Sequence, residues 1–255
     1  MRNFDTILYE KKDGIAYITL NRPEVLNSYN VQMRDDLYQV LTAIRDDADV
    51  MVAIFKGAGE RAFCVGADLT EFGTTPSPII ARQVRWERDV WGLFSRIKQP
   101  LIAALHGYVF GSGVEIALFC DIRMASEDTI FSLPEVSLGM IPAAGGTQTL
   151  PRLIGNGKAL QLLLTGDRID AQDAYRIGLV NMVVNREELH STADLTARKI
   201  LSCNTIAIRY AKEAITRGLD LTLEDGLALE RRLAHILKKD LVRKDASHSI
   251  TGAAA

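Results

Sequence analysis

The chain has 255 residues, of which 47% are apolar and 24% charged, which suffices for one large α/β domain or for a domain with a small appendage. Its net charge of −2 provides no long-range attraction for nucleic acid or for an anionic membrane. No apolar run approaches the ~20 residues that a membrane-spanning helix requires.

The first part of the chain predicts strands on either side of a helix. The N-terminus lacks the apolar core of a signal peptide. Residues 4–20 alternate as two strands around a turn at 12–14. A helix follows over about 30–46, and the apolar run 50–55 is typical of a strand buried on both faces. This order indicates βαβ units and a parallel sheet.

Three segments then lead to the centre of the chain. Residues 57–69 are mostly small and end with Asp68 before a helical turn, which leaves backbone N–H groups that can bind a ligand oxygen. Residues 73–78 predict a surface loop. A helix over about 79–97 carries an apolar stripe, for which core packing is the default and the lining of a substrate tunnel is the alternative.

The stretch 101–142 concentrates the features that suggest chemistry. An apolar strand at 101–105 leads to a Gly-Ser-Gly turn and a short apolar helix. Glu115 and Glu135 lie in these apolar runs, where carboxylates rarely occur without a partner or a task. We therefore predict that both glutamates and the backbone amide beside Ser112 form most of an active site.

The remainder of the chain changes from mixed to helical. A second strand is predicted near 121–125, a small-residue loop over 139–147, a helix over 157–164, a helix over 171–177 and a short strand within 179–184, and three helices follow at about 187–202, 205–217 and 223–239. We predict an α/β core over residues 1–190, a helical region over 191–245 and a disordered tail over 246–255.

Other common site chemistries lack their signatures. No phosphate-binding loop occurs, and the serine hydrolase elbow fails because Phe110 replaces its first glycine. The histidines are scattered, so no metal site is predicted, and His106 is interpreted as structural. Three widely spaced cysteines indicate reduced thiols in a cytoplasmic protein. Backbone amides that can stabilise an oxyanion, together with paired carboxylates, remain. Taken alone, Glu115 could equally be a first-turn glutamate favoured by the helix dipole.

Several motifs in sequence order resemble the crotonase (enoyl-CoA hydratase/isomerase) superfamily, from about residue 5 to residue 235. The matching segments are 18–23, 66–69, 106–108, 113–117, 120–121, 134–135, 138–142, 145–148 and 150–152. The resemblance implies a crotonase-like spiral of ββα units with a C-terminal helical trimerisation region. Assembly as a homotrimer, or as a dimer of trimers, is implied as well.

The resemblance also implies the reaction and its residues. A 2-enoyl-CoA thioester would place its carbonyl oxygen on the backbone amides of Ala67 and Ser112. Glu115 would act as the base toward water, and Glu135 would deliver a proton to the α-carbon. No cofactor is implied, because coenzyme A is part of the substrate.

Further positions follow from the same resemblance. The acyl-CoA would be bound by Val25, Val65, Ala67, Asp68, Leu69 and Gly111, and Ala143 would help to orient the water. Ser112 and Ala143 each replace a glycine that is common in the family.

Three functions are therefore considered. The first is hydration of a 2-enoyl-CoA, which the presence of two glutamates favours over isomerisation. The second is another reaction of this family on an alicyclic, branched or aromatic acyl group, suggested by the methyl group of Ala143 and by the aromatic residues within 79–97. The third is a non-enzymatic RNA-binding relative, against which the near-neutral charge argues.

Overall fold

The computed structural model describes residues 4–74 and 77–251, which form two compact units. The first unit extends to Arg198 and the second begins at Lys199. This division lies within a helix, later than the predicted boundary between residues 190 and 191. No helix among the described residues is long and apolar enough to cross a membrane.

The first unit contains a six-stranded sheet in the order β1-β2-β3-β5-β7-β10. Its strands are β1 (Ile7–Lys12), β2 (Ile15–Leu20), β3 (Val52–Gly57), β5 (Leu101–Leu105), β7 (Ile122–Ser126) and β10 (Met182–Val184). Strands β1 and β2 form an antiparallel hairpin, and all other neighbours are parallel. The hairpin turn has positive φ at Asp13 and Gly14, which matches the right-handed twist of its strands. The predicted parallel α/β sheet is therefore confirmed.

A smaller sheet was not predicted. It has the order β4-β6-β8-β9, with strands β4 (Ala62–Cys64), β6 (Tyr108–Phe110), β8 (Ile130–Ser132) and β9 (Ile169–Asp170). Strands β4, β6 and β8 are parallel. Because each has only three residues, hydrophobic periodicity cannot identify it.

The helices complete a repeated unit. Those of the first unit are α1 (Val31–Asp46), α2 (Pro78–Glu87), α3 (Val90–Arg96), α4 (Ser112–Leu118), α5 (Gly146–Ile154), α6 (Asn156–Thr165), α7 (Ala171–Arg176) and α8 (Leu189–Leu201), which ends in the second unit. Three times, a strand of the large sheet is followed by a strand of the small sheet and then by helix: β3-β4-α2, β5-β6-α4 and β7-β8-α5. The chain thus forms a spiral of ββα turns around one buried apolar core.

The helix predicted over 79–97 is interrupted. Helix α2 ends at Glu87, and α3 begins after Asp89, whose side chain accepts a hydrogen bond from the Gly92 amide at 2.8 Å. A short polar side chain that bonds to the following backbone favours a helix start over a helix interior. The prediction of one continuous helix was therefore wrong.

The second unit contains two paired helices after the end of α8. These are α9 (Thr205–Gly218) and α10 (Leu223–Thr251), which pack against each other. Helix α10 extends to Thr251, into the segment from residue 246 for which the sequence predicted a disordered tail. This segment contains no Gly or Pro before Gly252, and extending an existing helix requires no new nucleation. The rest of the predicted tail, 252–255, lies outside the described residues.

One buried side chain fixes the segment that leads from β2 to α1. Asn27 has a left-handed φ of 55° and is fully buried. Its Nδ2 donates to the carbonyl oxygens of Ala58 and Ala62, both at 2.9 Å, and its Oδ1 accepts from the Arg22 amide at 2.8 Å. The loop before α1 is thereby tied to the connection between β3 and β4.

We expect Asn27→Ala to lower the free energy of unfolding by roughly 3 kcal/mol, because it leaves buried backbone groups without partners. Asn30→Ala serves as the matched control. Asn30 only caps α1, accepting from the Met33 amide at 2.8 Å, and its loss should cost about 1 kcal/mol. Urea denaturation of both variants measures the difference, and equal losses would contradict the anchoring role.

Candidate active site

The small sheet brings three of the predicted site residues to one edge. Because β4, β6 and β8 are parallel, their carboxyl ends lie side by side. Directly after these ends the chain reaches Ala67, Ser112 and Glu135. Residues far apart in sequence therefore meet through strand pairing alone.

The loops after β4 and β6 approach each other closely. A Cβ atom added at Gly66 would lie 3.4 Å from the Gly111 Cα and 3.5 Å from the Ser112 nitrogen. Both glycines have positive φ, 98° and 49°, which side chains disfavour. Glycine at these two positions thus allows the backbones that carry the Ala67 and Ser112 amides to lie side by side.

The two predicted oxyanion donors are left out of the surrounding secondary structure. Tyr29 forms an isolated β-bridge with this loop: its amide donates to the Gly66 carbonyl at 2.8 Å, and its carbonyl accepts from the Asp68 amide at 2.9 Å. The Ala67 amide takes no part in this bridge. Ser112 is the first residue of α4, so its N–H has no intrahelical acceptor. Two N–H donors on adjacent loops can stabilise one developing negative charge.

Glu115 is buried, with 2% of its surface exposed. Its Oε1 accepts hydrogen bonds from the amides of Ala144 at 2.8 Å and Gly146 at 2.9 Å. Burial raises the pKa of Glu115 to about 7, because the loss of hydration outweighs the two amide donors, which lower the pKa. Two smaller effects oppose each other: the charge of Glu135 raises this pKa, and the Ser112 hydroxyl lowers it. The carboxyl group can therefore exchange a proton near neutral pH.

Glu135 lies against the Gly-Ser-Gly turn. A Cβ added at Gly111 would lie 3.0 Å from Glu135 Oε1, so the carboxyl group packs directly on this glycine. Its Oε2 is buried and forms no hydrogen bond with the described residues. Burial raises the pKa of Glu135, and its own backbone amide lowers it. Two carboxyl groups whose pKa values are raised by burial are suited to acid–base catalysis.

The loop 139–147 supplies donors that the sequence analysis missed. The amides on Glu115 belong to Ala144 and Gly146, whereas Ala143 is exposed and forms no hydrogen bond with this carboxyl group. The small residues of the loop were a signal, but sequence spacing does not reveal which amide points inward. A water-orienting role of Ala143 stays a prediction.

The residues predicted to bind the acyl-CoA lie on both sides of the Ala67 loop. Val25 and Leu69 are exposed, and Val65 is half-buried. Asp68 forms an ion pair with Arg22, Oδ2 to Nη1 at 3.0 Å, in which both side chains are largely buried. Arg22 also donates to the Ser28 carbonyl at 2.7 Å. Asp68 therefore holds the loop in place, a role that the sequence analysis did not identify.

His106 lies apart from these groups, directly after β5. Its Nε2 is 3.1 Å from the Gly59 carbonyl oxygen, and burial lowers the pKa of His106 to about 4. Its Nδ1 is buried without a hydrogen-bond partner among the described residues, and its structural role stays a prediction. In the part of the chain that the structure describes, no three His, Cys, Asp or Glu side chains cluster as metal ligands would.

Comparison with known proteins relates this geometry to an established family. The sequence matches the enoyl-CoA hydratase/isomerase family model over residues 10–251. It is 39% identical over 226 residues to the short-chain-enoyl-CoA hydratase of Clostridium acetobutylicum, covering 89% of this chain and 87% of that protein.

A second relative and a solved structure extend the match. The (E)-benzylidenesuccinyl-CoA hydratase of Thauera aromatica is 37% identical over 241 residues, covering 94% and 93% of the two chains. The crystal structure of an enoyl-CoA hydratase from Bacillus anthracis superimposes with a TM-score of 0.87 at 38% identity, over 97% of each chain. The predicted crotonase-like spiral of ββα units is thereby confirmed.

The raised pKa of Glu115 has a consequence for stability. Between the ordinary pKa of 4.5 and the folded-state value of about 7, the folded chain binds more protons than the unfolded chain. Glu115 therefore contributes fully to the free energy of unfolding below pH 4.5. As the pH rises from 4.5 to 7, this contribution decreases by at most about 3 kcal/mol. We expect Glu115→Gln to gain stability relative to the parent protein by up to this amount between pH 4.5 and pH 8.

Urea denaturation of both proteins at the two pH values measures this gain. Glu187→Gln, a change at an exposed glutamate, controls for the general effect of removing one charge. A difference between Glu115→Gln and the parent that is the same at both pH values would show that burial does not perturb Glu115.

Proposed function

Because the chain belongs to the enoyl-CoA hydratase/isomerase family, we propose that it hydrates a 2-enoyl-CoA thioester to the 3-hydroxyacyl-CoA. The observation that carries this proposal is the presence of two carboxyl groups, the buried Glu115 and the partly buried Glu135, beside two backbone amides that the surrounding secondary structure leaves without acceptors. No cofactor takes part, and coenzyme A is the carrier portion of the substrate.

The amides of Ala67 and Ser112 receive the thioester oxygen. When water attacks the β-carbon, the electron pair of the C=C bond moves toward the carbonyl and places negative charge on that oxygen. Each such donor lowers the barrier by roughly 3–4 kcal/mol. The close contact between the Gly66 and Gly111 backbones supports this role, because it keeps the two loops together.

The two glutamates divide the proton transfers. Glu115 removes a proton from water as the oxygen bonds to the β-carbon, and Glu135 gives a proton to the α-carbon. The two amide donors favour the ionised form of Glu115, while Glu135 Oε2 lacks a donor. Since one water lies between both groups, hydrogen and hydroxyl add to the same face of the double bond.

Isomerisation requires only one carboxyl group to move a proton between carbons. Here the buried Glu115 and the partly buried Glu135 are both present at the site, so the second carboxyl group supports hydration. Hydrolysis of the thioester would instead require water to attack the carbonyl carbon, and product analysis separates the three reactions.

We further propose that the protein assembles as a homotrimer or as a dimer of trimers. Helices α9 and α10 of the second unit and the turn that joins them carry large apolar side chains that are exposed in the single chain, including Ile215, Leu219 and Leu223. Burial of such side chains between copies would stabilise an assembly. Sedimentation or light scattering of the purified protein measures its mass.

We expect the purified protein to remove the absorbance of a conjugated enoyl-CoA and to form the 3-hydroxyacyl-CoA. Glu135→Gln should lower kcat by about 100- to 10,000-fold, because a positioned acid contributes that factor. Mass spectrometry of the product, and absorbance at saturating substrate, provide the two measurements.

Glu187→Gln is the matched control and should retain the parent rate, since its side chain is exposed and lies on a short 3₁₀ turn after β10. Full activity of Glu135→Gln would rule out the two-glutamate mechanism. Formation of a shifted double bond or of free coenzyme A, without hydration, would assign the chain to another reaction of its family.

A further inference from the structure

Four aromatic side chains form one continuous stack, called here the aromatic wall: Tyr29, Trp91, Phe94 and Phe119. The Tyr29 and Trp91 ring centroids are 5.5 Å apart, and those of Trp91 and Phe119 are 5.9 Å apart with nearly parallel planes. Phe94 stacks behind both, at 6.1 Å from Trp91 and 5.6 Å from Phe119. Their mutual contacts hold the four rings together as one apolar cluster.

One end of the wall adjoins the oxyanion loop. Tyr29 donates its amide to the Gly66 carbonyl and accepts from the Asp68 amide, so its backbone flanks Ala67 on both sides. Burial is the main cause that raises the pKa of the Tyr29 hydroxyl, and the Glu115 carboxylate also contributes, which places this ring within electrostatic reach of the site.

The other end adjoins Glu115. Phe119 follows Glu115 by one helical turn and donates its amide to the Glu115 carbonyl oxygen at 3.3 Å, so both side chains lie on the same face of α4. A Cβ added at Gly145 would lie 2.8 Å from the Phe119 ring. Gly145 directly precedes Gly146, whose amide binds Glu115. The wall thus extends from the carbonyl end of the site to the loop that holds its base.

The rings differ in exposure along the stack. Phe94 is buried, whereas Tyr29, Trp91 and Phe119 are each only partly buried. The exposed parts of these three rings lie beside the Ala67 loop and the loop that holds Glu115, where they offer aromatic surface to a ligand. Aromatic surface favours planar π-systems over alkyl groups of equal size.

The geometry points to an acyl group that carries a planar aromatic substituent as the preferred substrate class, with Trp91 and Phe119 as the specificity-determining residues. This inference rests on the proposed function only in placing the thioester between the amides and the glutamates. The substituent on the β-carbon would lie against the wall, while C1 to C3 of the acyl group remain beside the two amides and the two glutamates.

Binding of unreactive saturated thioesters tests this independently of catalysis. Phenylpropanoyl-CoA and cyclohexylpropanoyl-CoA have the same number of carbon atoms, but only the first has a planar ring. We expect calorimetry to show that the phenyl compound binds roughly 3- to 10-fold more tightly. Trp91→Leu and Phe119→Leu should each reduce this ratio toward one, and Trp91→Phe should preserve most of it.

Trp86→Leu is the matched control, because Trp86 lies on α2 with 69% of its surface exposed and stacks with Arg82, outside the wall. It should leave the ratio unchanged. Equal binding of the two thioesters by the parent protein, or a ratio insensitive to Trp91→Leu, overturns the inference even if linear enoyl-CoA is hydrated. A preserved phenyl preference in a protein without hydratase activity would instead support the wall and contradict the proposed reaction.

Discussion

The contact between the backbones of Gly66 and Gly111 is the constraint on which the site depends. These loops follow neighbouring strands of the small sheet, and any side chain at Gly66 would meet the Phe110 carbonyl at 3.2 Å. Only with both glycines in place do the Ala67 and Ser112 amides lie on adjacent loops. Glu135 then packs on the open side of Gly111, so one close approach positions two donors and a carboxyl group.

Burial of the Glu115 carboxyl group lowers the stability of the folded chain near neutral pH. A carboxyl group that is 2% exposed loses most of its hydration, and two amides compensate only in part. A neutral side chain of similar shape would suit the fold better near neutral pH. The retained carboxyl group indicates that the chain tolerates this cost in exchange for an ionisable group among apolar side chains.

Sequence reasoning named the residues of the candidate site but not the contacts that support them. Glu115 and Glu135 were conspicuous because carboxylates in apolar runs are rare, and the parallel sheet followed from strand and helix order. The Asp68–Arg22 pair, the amides on Glu115 and the aromatic wall all depend on contacts between residues distant in sequence, which periodicity does not encode. The break between α2 and α3 was missed for a different reason. There, the local bond from Gly92 to Asp89 prevailed over an apolar stripe that continues across the gap.

The ββα spiral has a consequence for how the chain folds. The site draws its parts from three successive turns, which contribute Ala67, Ser112 with Glu115, and Glu135. Ordering each turn requires closing a long loop before its parallel strand pairs, so this topology has high contact order and folds slowly. The residues of the candidate site therefore meet only when all three turns have formed.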